Sequence, residues 1–370
     1  MISKQIYSIA ILVGSIIGAG FFALPAIATK TGILVMALYL IFGGLFVAII
    51  HLMMAEISLK SPDNKRLPGF SKLYLGQKGE RVALFSNIFG LIGSILAFII
   101  LGGDFLSIIT GLDPFYATLI YFAFGALMII FGIRIVSKVE FYGVILFLVL
   151  LLLIFFNSFG FIDLSNLNIL TNPEFLFLPY GPILFSLWGI SIVPEAEELL
   201  GEGKKSLKKI ISISFLICII IYSLFVFLVL GVCGTNVTEA SLDSLGMFLG
   251  NNVGVIAIMF GILTTFTSFI TTGLTLQKVL WFDLGLKKIT ADVLVCGVPI
   301  ILFLLGINSF MGVISFVGGL FFGIDGLLIL LIYAKVNREK RFLAYPFILL
   351  FILGAVYQII NFIQRTCHFL

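Results

Sequence analysis

The chain has 370 residues, 61% of them hydrophobic and 11% charged, with a mean hydropathy of +1.24. A soluble domain is nearer half apolar and a quarter charged, so this composition excludes a soluble globular protein and points to a polytopic membrane protein. The formal net charge is +4, and where the charges fall is more informative than their sum.

Windows of roughly 20 apolar residues predict an all-α polytopic membrane protein with eleven transmembrane helices. They lie at 6–30, 32–57, 82–110, 114–134, 139–161, 179–201, 209–232, 251–280, 290–307, 309–333 and 342–364. Lys4, the apolar run behind it and Ala26-Ile27-Ala28 imitate a secretory signal, but the run exceeds a usual signal core. The first span is interrupted at Gly14-Ser15-Ile16-Ile17-Gly18-Ala19-Gly20 and again at Leu24-Pro25, and the sixth at Trp188-Gly189-Ile190-Ser191-Ile192-Val193-Pro194-Glu195. Backbone that leaves the helix at membrane depth is tolerated only where it is buried in protein or lines a cavity. Breaks at corresponding places in two halves of a chain mark the substrate site of a secondary carrier.

The positive-inside rule places the N-terminus in the cytoplasm. With eleven spans, the loops on that side hold 20 of the 22 Lys and Arg, leaving Lys30 and Arg365 outside. The predicted location is the plasma membrane, with the C-terminus outside. The basic loops are thus topological signals inside a lipid bilayer, not a nucleic-acid surface. Two longer outer loops span 162–178 and 233–250; the second carries Asn236-Val237-Thr238, a glycosylation-type triplet, and a mildly amphipathic stretch from Ala240 to Leu249. Cys218 and Cys296 lie within spans, Cys233 and Cys367 near span ends. Four unpaired thiols are the expectation, with a Cys233–Cys367 bridge as the alternative.

Gly18-Ala19-Gly20-Phe21-Phe22-Ala23-Leu24-Pro25, followed by Ala28 and Gly32, resembles the first-helix signature of the amino acid/auxin permeases, part of the amino acid–polyamine–organocation superfamily. Pro194-Glu195, then Glu197-Glu198-Leu199 and the Lys204–Lys209 cluster, is similar to the same family's sixth span. Ala97-Phe98 with Gly103-Asp104, and Glu56 with Lys60, add to the likeness from Ile6 to about Lys335. Val193 departs from it, standing where relatives often carry a polar or aromatic residue. The resemblance implies a LeuT-like fold with a 5+5 inverted repeat. Residues 1–161 form the first repeat, 179–333 the second, and 342–364 a peripheral eleventh helix.

The breaks themselves suggest complementary chemistry. Free N–H groups where the first span resumes carry partial positive charge and suit a carboxylate, so Gly18, Ala19 and Gly20, with Ser15 nearby, form the candidate cradle. Free carbonyls at Trp188-Gly189 suit an ammonium group, with Ser191 alongside. Close helix packing through Gly14 and Gly18 is the competing structural explanation. Alignment with the family adds Phe98 and Trp188 as side-chain pocket walls. The resembling fold also places a sodium site between Gly14 and Ile17 carbonyls and span eight, where Thr264, Thr267 and Ser268 share a face. Hydroxyls that bond back to their own helix are the alternative.

Ionisable residues inside spans usually mark a pathway, which makes Glu56, Asp104, Glu195 and Asp325 coupling or gating candidates. Glu56 is expected either to accept bonds from the unwound backbone of span six or to be a snorkelling interfacial charge, and Asp325 is the candidate if protons drive transport, with a structural or inner-vestibule hydrogen bond as its alternative. The leading expectation is an amino acid importer coupled to Na⁺ or H⁺ by alternating access, with no catalytic residues and no cofactor beyond Na⁺. A non-transporting amino acid sensor on the same fold is the alternative. An intramembrane aspartyl protease is excluded because Leu101 breaks the Gly-x-Gly-Asp spacing at Gly102-Gly103-Asp104, and a zinc protease because only His51 and His368 are present.

Overall fold

Helices make up every regular element among the described residues, and no strand occurs there. The computed structural model describes residues 2–61, 66–131, 146, 149–167, 169–249 and 251–367. Lys65, Arg134, Lys138, Asn168, His368 and the first part of the fifth predicted span lie outside them. Among the described residues six helices are long and apolar enough to cross a membrane, and the bent pair Lys4–Ile16 and Ala19–Thr31 makes a seventh.

The first span ends its initial helix at Ile16, and its second part resumes at a bend of 49°. The cause is local. Gly18 is extended (φ −109°, ψ −165°), and its N–H turns to Ile16 O at 2.9 Å instead of to Gly14 O. A short 3₁₀ turn, Ala19–Ala23, then feeds Leu24–Thr31, where Pro25 occupies the first turn and loses no helical bond. Gly32 closes the span at φ +92°, and a β-carbon there would sit 2.7 Å from Leu170 O. Only glycine fits both constraints.

The sixth span repeats this pattern: Tyr180–Leu187, a break at Trp188-Gly189, the turn Ile190–Ile192, then Val193–Leu200 with Pro194 in its first turn. Its first half packs against span ten through Gly181 and Gly318, so closely that a β-carbon on Gly318 would meet Gly181 O at 2.0 Å. Small residues permit this approach where no water-driven force joins helices in lipid. Gly102 and Gly103 do the same for span three, lying against Tyr121 and Thr118 of span four.

Three boundaries differ from the sequence reading. Span three is preceded by a short helix, so that one element runs Leu67–Thr110 with a turn at Gly76 (φ +80°). Span two, Ile33–Lys60, contains a π-helical turn at Tyr39–Gly43, and span ten contains another at Val317–Phe322. Hydropathy cannot see either feature, because neither changes composition. The outer stretch after Ala240 folds as the helix Leu242–Leu249.

The basic loops gather at one end of the bundle. Arg66 pairs with Glu195 at 3.4 Å, Lys208 with Glu56 at 2.7 Å, and Lys335 donates to Tyr74 O at 3.1 Å. Lys60 also donates to the Asn337 amide oxygen. Arg66, Lys60, Lys208 and Lys335, which the sequence reading puts on one side, thus meet partners at one end of the bundle. At the opposite end, Asp163 N–H donates to Gly231 O and Asn172 N–H to Thr31 O, tying loop 162–178 over the ends of spans one and seven.

Candidate functional site

The two breaks open onto one cavity of about 1430 Å³, reaching from Phe98 and Trp188 to Lys4, Arg66, Glu195 and Asp283 at the basic end. The opposite end is shut. Phe21, Phe22, Phe105, Phe225 and Phe260 are fully buried there, with ring centroids 4.7 Å apart for Phe21–Phe225 and 5.7 Å for both Phe22–Phe105 and Phe22–Phe260. Tilted and edge-on pairs at these spacings are attractive beyond their area alone. Ser241 straps the plug from outside, its hydroxyl donating to Phe22 O at 2.6 Å while its own backbone sits at φ +61°.

Gly18 and Gly20 both reach the cavity, but their surroundings differ. A β-carbon on Gly18 would meet only Ser268 Oγ, at 3.7 Å, whereas one on Gly20 would clash with Phe185 and the Ser186 backbone at 2.7 and 2.9 Å. Gly18 therefore faces open space and Gly20 serves the docking of span one on span six. Ser15 lies on the wall, while Ala19 is fully buried behind it. Phe98, Trp188 and Ser191 line the cavity; Gly189 lies behind the wall.

Two side chains that the sequence reading did not single out hold the broken ends. Tyr222 of span seven is buried, and its hydroxyl lies 3.0 Å from Ile16 O and 2.7 Å from Ser186 O, the last turns of both interrupted helices. Carbonyls freed at a helix end need a donor when water is absent, and a buried one left without costs about 1–3 kcal/mol. Ser186 O is thus already engaged, so an ammonium group would have to use the carbonyls beyond it. His51 of span two is the second. Its Nδ1 lies 2.8 Å from Val47 O and its Nε2 accepts the Gly189 N–H at 3.1 Å.

Of the two readings of Glu56, the contacts match the interfacial charge. The carboxylate pairs with Lys60 at 3.2 Å and Lys208 at 2.7 Å, and the backbone of span six is held one and a half turns earlier by His51. Two lysines at the loop end outcompete a neutral N–H for a carboxylate. Asp104 sits away from the cavity, at the closed end near Glu239 and Asp243. Glu195 lines the mouth and pairs with Arg66; Glu197 is buried, 2.5 Å from Ser58 Oγ.

Gly14, Ile17, Thr264, Thr267 and Ser268 all line the cavity. The Thr264 hydroxyl donates to Phe260 O at 2.9 Å, and that of Thr267 lies 3.0 Å from both Leu263 O and Thr264 O. Such back-bonding uses the proton and leaves oxygen lone pairs free. Gly14 O has lost its helical partner to the turn at Gly18. Hard oxygen donors of this kind fit a cation, and among the described residues no His, Cys, Asp and Glu cluster offers a transition-metal site. Asp325 is 2% exposed on the cavity side of span ten and accepts a hydrogen bond from Ser86 Oγ. Phe322, one turn before it, stacks on Trp188 at 5.5 Å and 7°. Cys218, Cys233 and Cys296 are buried free thiols.

The same fold occurs in solved transporters of low identity. A manganese transporter of Eremococcus coleocola superposes with TM-score 0.71 at 12% identity, over 97% of this chain and 88% of that one. MhsT in complex with L-phenylalanine gives 0.69 at 15%, over 94% and 98%. Mhp1 in its inward-facing conformation gives 0.64 at 12%, over 90% and 76%. No curated protein sequence matches the chain. The model of the tryptophan/tyrosine permease family matches residues 1–359. On that match the chain is a transporter and not an enzyme, and it belongs to the tryptophan/tyrosine permease family.

Proposed function

We propose that this protein is a secondary active importer of amino acids, with aromatic amino acids its preferred substrates, driven by a cation gradient through alternating access. One observation carries the reading: two broken helices whose ends meet at Tyr222 face one cavity that is open at the basic end and sealed by phenyl rings at the other. Taking the basic end as cytoplasmic, this is an inward-open carrier in a cell membrane. The halves 1–161 and 179–333 then act as the two inverted repeats.

The N–H groups of Ala19 and Gly20, where the span resumes after Gly18, receive the carboxylate, carbonyls beyond Ser186 the ammonium, and Trp188 with Phe98 the side chain. The family name and the L-phenylalanine held by MhsT support an aromatic substrate. So does the stacked Trp188–Phe322 pair, which offers a broad flat wall. Gly14, Ile17, Thr264, Thr267 and Ser268 form the Na⁺ site. A proton-driven variant of the same cycle would use Asp325, whose only hydrogen-bond donor among the described residues is Ser86.

Uptake of a panel of radiolabelled amino acids into proteoliposomes, under imposed Na⁺ or H⁺ gradients, tests the assignment. Accumulation of tryptophan, tyrosine or phenylalanine against a gradient supports it. Binding without accumulation under either ion would favour a sensor. Within that assay Trp188→Ala is expected to raise KM for the aromatic substrates about tenfold while leaving small amino acids within about twofold. One lost aromatic face is worth about 0.5–1.5 kcal/mol beyond its area. Equal losses for large and small substrates would assign Trp188 a purely structural role.

A further inference from the structure

His51 has no place in the scheme above, yet its ring is fully buried beside the break of span six. Its Nδ1 is 2.8 Å from Val47 O, a carbonyl that can only accept, so Nδ1 carries the proton. Nε2 is therefore an unprotonated acceptor, and it takes the N–H of Gly189 at 3.1 Å. Nothing in a broken helix supplies a partner for that N–H from its own turn, and an unpaired N–H in a dry interior is costly. The ring is fixed on both sides: it lies edge-on to Phe215 at 4.6 Å and to Trp188 at 5.9 Å. Gly189 also lies close against span one, where a β-carbon on it would meet Ile16 at 2.8 Å.

We infer that His51 is a positioning residue for substrate selection: as a neutral acceptor it sets the turn at Gly189 and thereby aims the Trp188 indole, the wall of the side-chain pocket, without touching substrate. The geometry runs through one residue. Trp188 is extended (φ −83°, ψ 109°) and Gly189 follows at φ −132°, ψ 28°, so the peptide plane between them fixes where the indole leaves the backbone. The indole then lies parallel to Phe322. If Gly189 N–H is released, that plane turns and the stacked pair loses its register. The consequence is felt first by substrates large enough to lean on the wall.

The inference rests on the proposed function only for its transport arm, and a spectroscopic arm decides it independently. The chain holds two tryptophans, Trp188 and Trp281, so Trp281→Phe leaves Trp188 as the sole reporter. In that background His51→Gln, whose amide oxygen stands the same number of bonds from Cβ as Nε2, should keep the Trp188 emission maximum and anisotropy. His51→Leu should shift the maximum and lower the anisotropy. In otherwise wild-type protein, His51→Leu should raise KM for L-tyrosine and L-phenylalanine about tenfold, the worth of one buried hydrogen bond, and KM for L-alanine clearly less, since the turned plane carries one ammonium carbonyl but the whole aromatic wall, with Vmax within about twofold, and His51→Gln should restore both. Should His51→Leu fail to reach the membrane, His51→Asn, which holds its acceptor one bond short, replaces it. Unchanged Trp188 emission in the Leu or Asn variant, or equal damage by Gln and Leu, overturns the inference. Wild-type protein that moves no amino acid overturns the proposed function instead, while the emission measurements still judge His51.

Discussion

Gly18→Leu is expected to abolish uptake, by at least about a hundredfold, in protein that still reaches the membrane and runs as a single species. The position is open: only Ser268 Oγ stands within 4 Å of a β-carbon there, and the backbone is in an extended region that any residue adopts. A leucyl side chain can therefore be housed, but it fills the space proposed for a carboxylate at the N–H groups of the resumed helix. A hundredfold loss corresponds to about 2.7 kcal/mol, within reach of one or two charge-assisted hydrogen bonds. Gly20→Leu should fail differently, with little mature protein, because its side chain strikes the Ser186 backbone at 2.9 Å. Measured uptake and size-exclusion profiles of the two variants separate these outcomes. Normal affinity in Gly18→Leu would remove the carboxylate cradle.

The second large effect concerns the driving ion. Thr267→Ala with Ser268→Ala takes two hydroxyl oxygens from the five donors proposed for Na⁺ and is expected to raise the Na⁺ concentration for half-maximal uptake by about ten- to a hundredfold. Sodium shifts the conformational balance only by its differential affinity for the two states. Substrate binding at saturating Na⁺ should therefore change much less. Asp325→Asn should leave Na⁺ dependence intact. Uptake that ignores Na⁺ and disappears with Asp325→Asn would assign coupling to protons and leave the hydroxyls as helix-internal bonds.

Much of this architecture was legible in the residues because lipid imposes two strict requirements. Spans must be long and apolar, and backbone breaks must be hidden, so hydropathy marked an all-α membrane protein and the Gly and Pro clusters at 14–25 and 188–195 marked the two interrupted helices. What holds the breaks was not legible. Tyr222 sits in an Ile-Ile-Ile-Tyr-Ser run where a phenol looks like packing, and its value lies in meeting two distant carbonyls, which is a tertiary fact. His51 did carry a signal, as a single imidazole in the middle of a span, but the acids nearby drew the reading to Glu56. The choice between those two depends on where Lys208 lands, and spacing along one helix does not show it. The π-helical turns and the kink at Gly76 escaped for a related reason: they change the path of the chain without altering its pattern.

The phenylalanine plug has a thermal consequence. Opening the sealed end exposes several phenyl faces to water, so that half of the cycle carries a positive heat-capacity change. Apolar burial near room temperature is favoured by entropy and weakens on cooling. Chilling therefore lowers the cost of parting the plug itself, and warming raises it again. An Arrhenius plot of uptake should bend accordingly, its slope changing as the rate-limiting half of the cycle passes from one face of the membrane to the other.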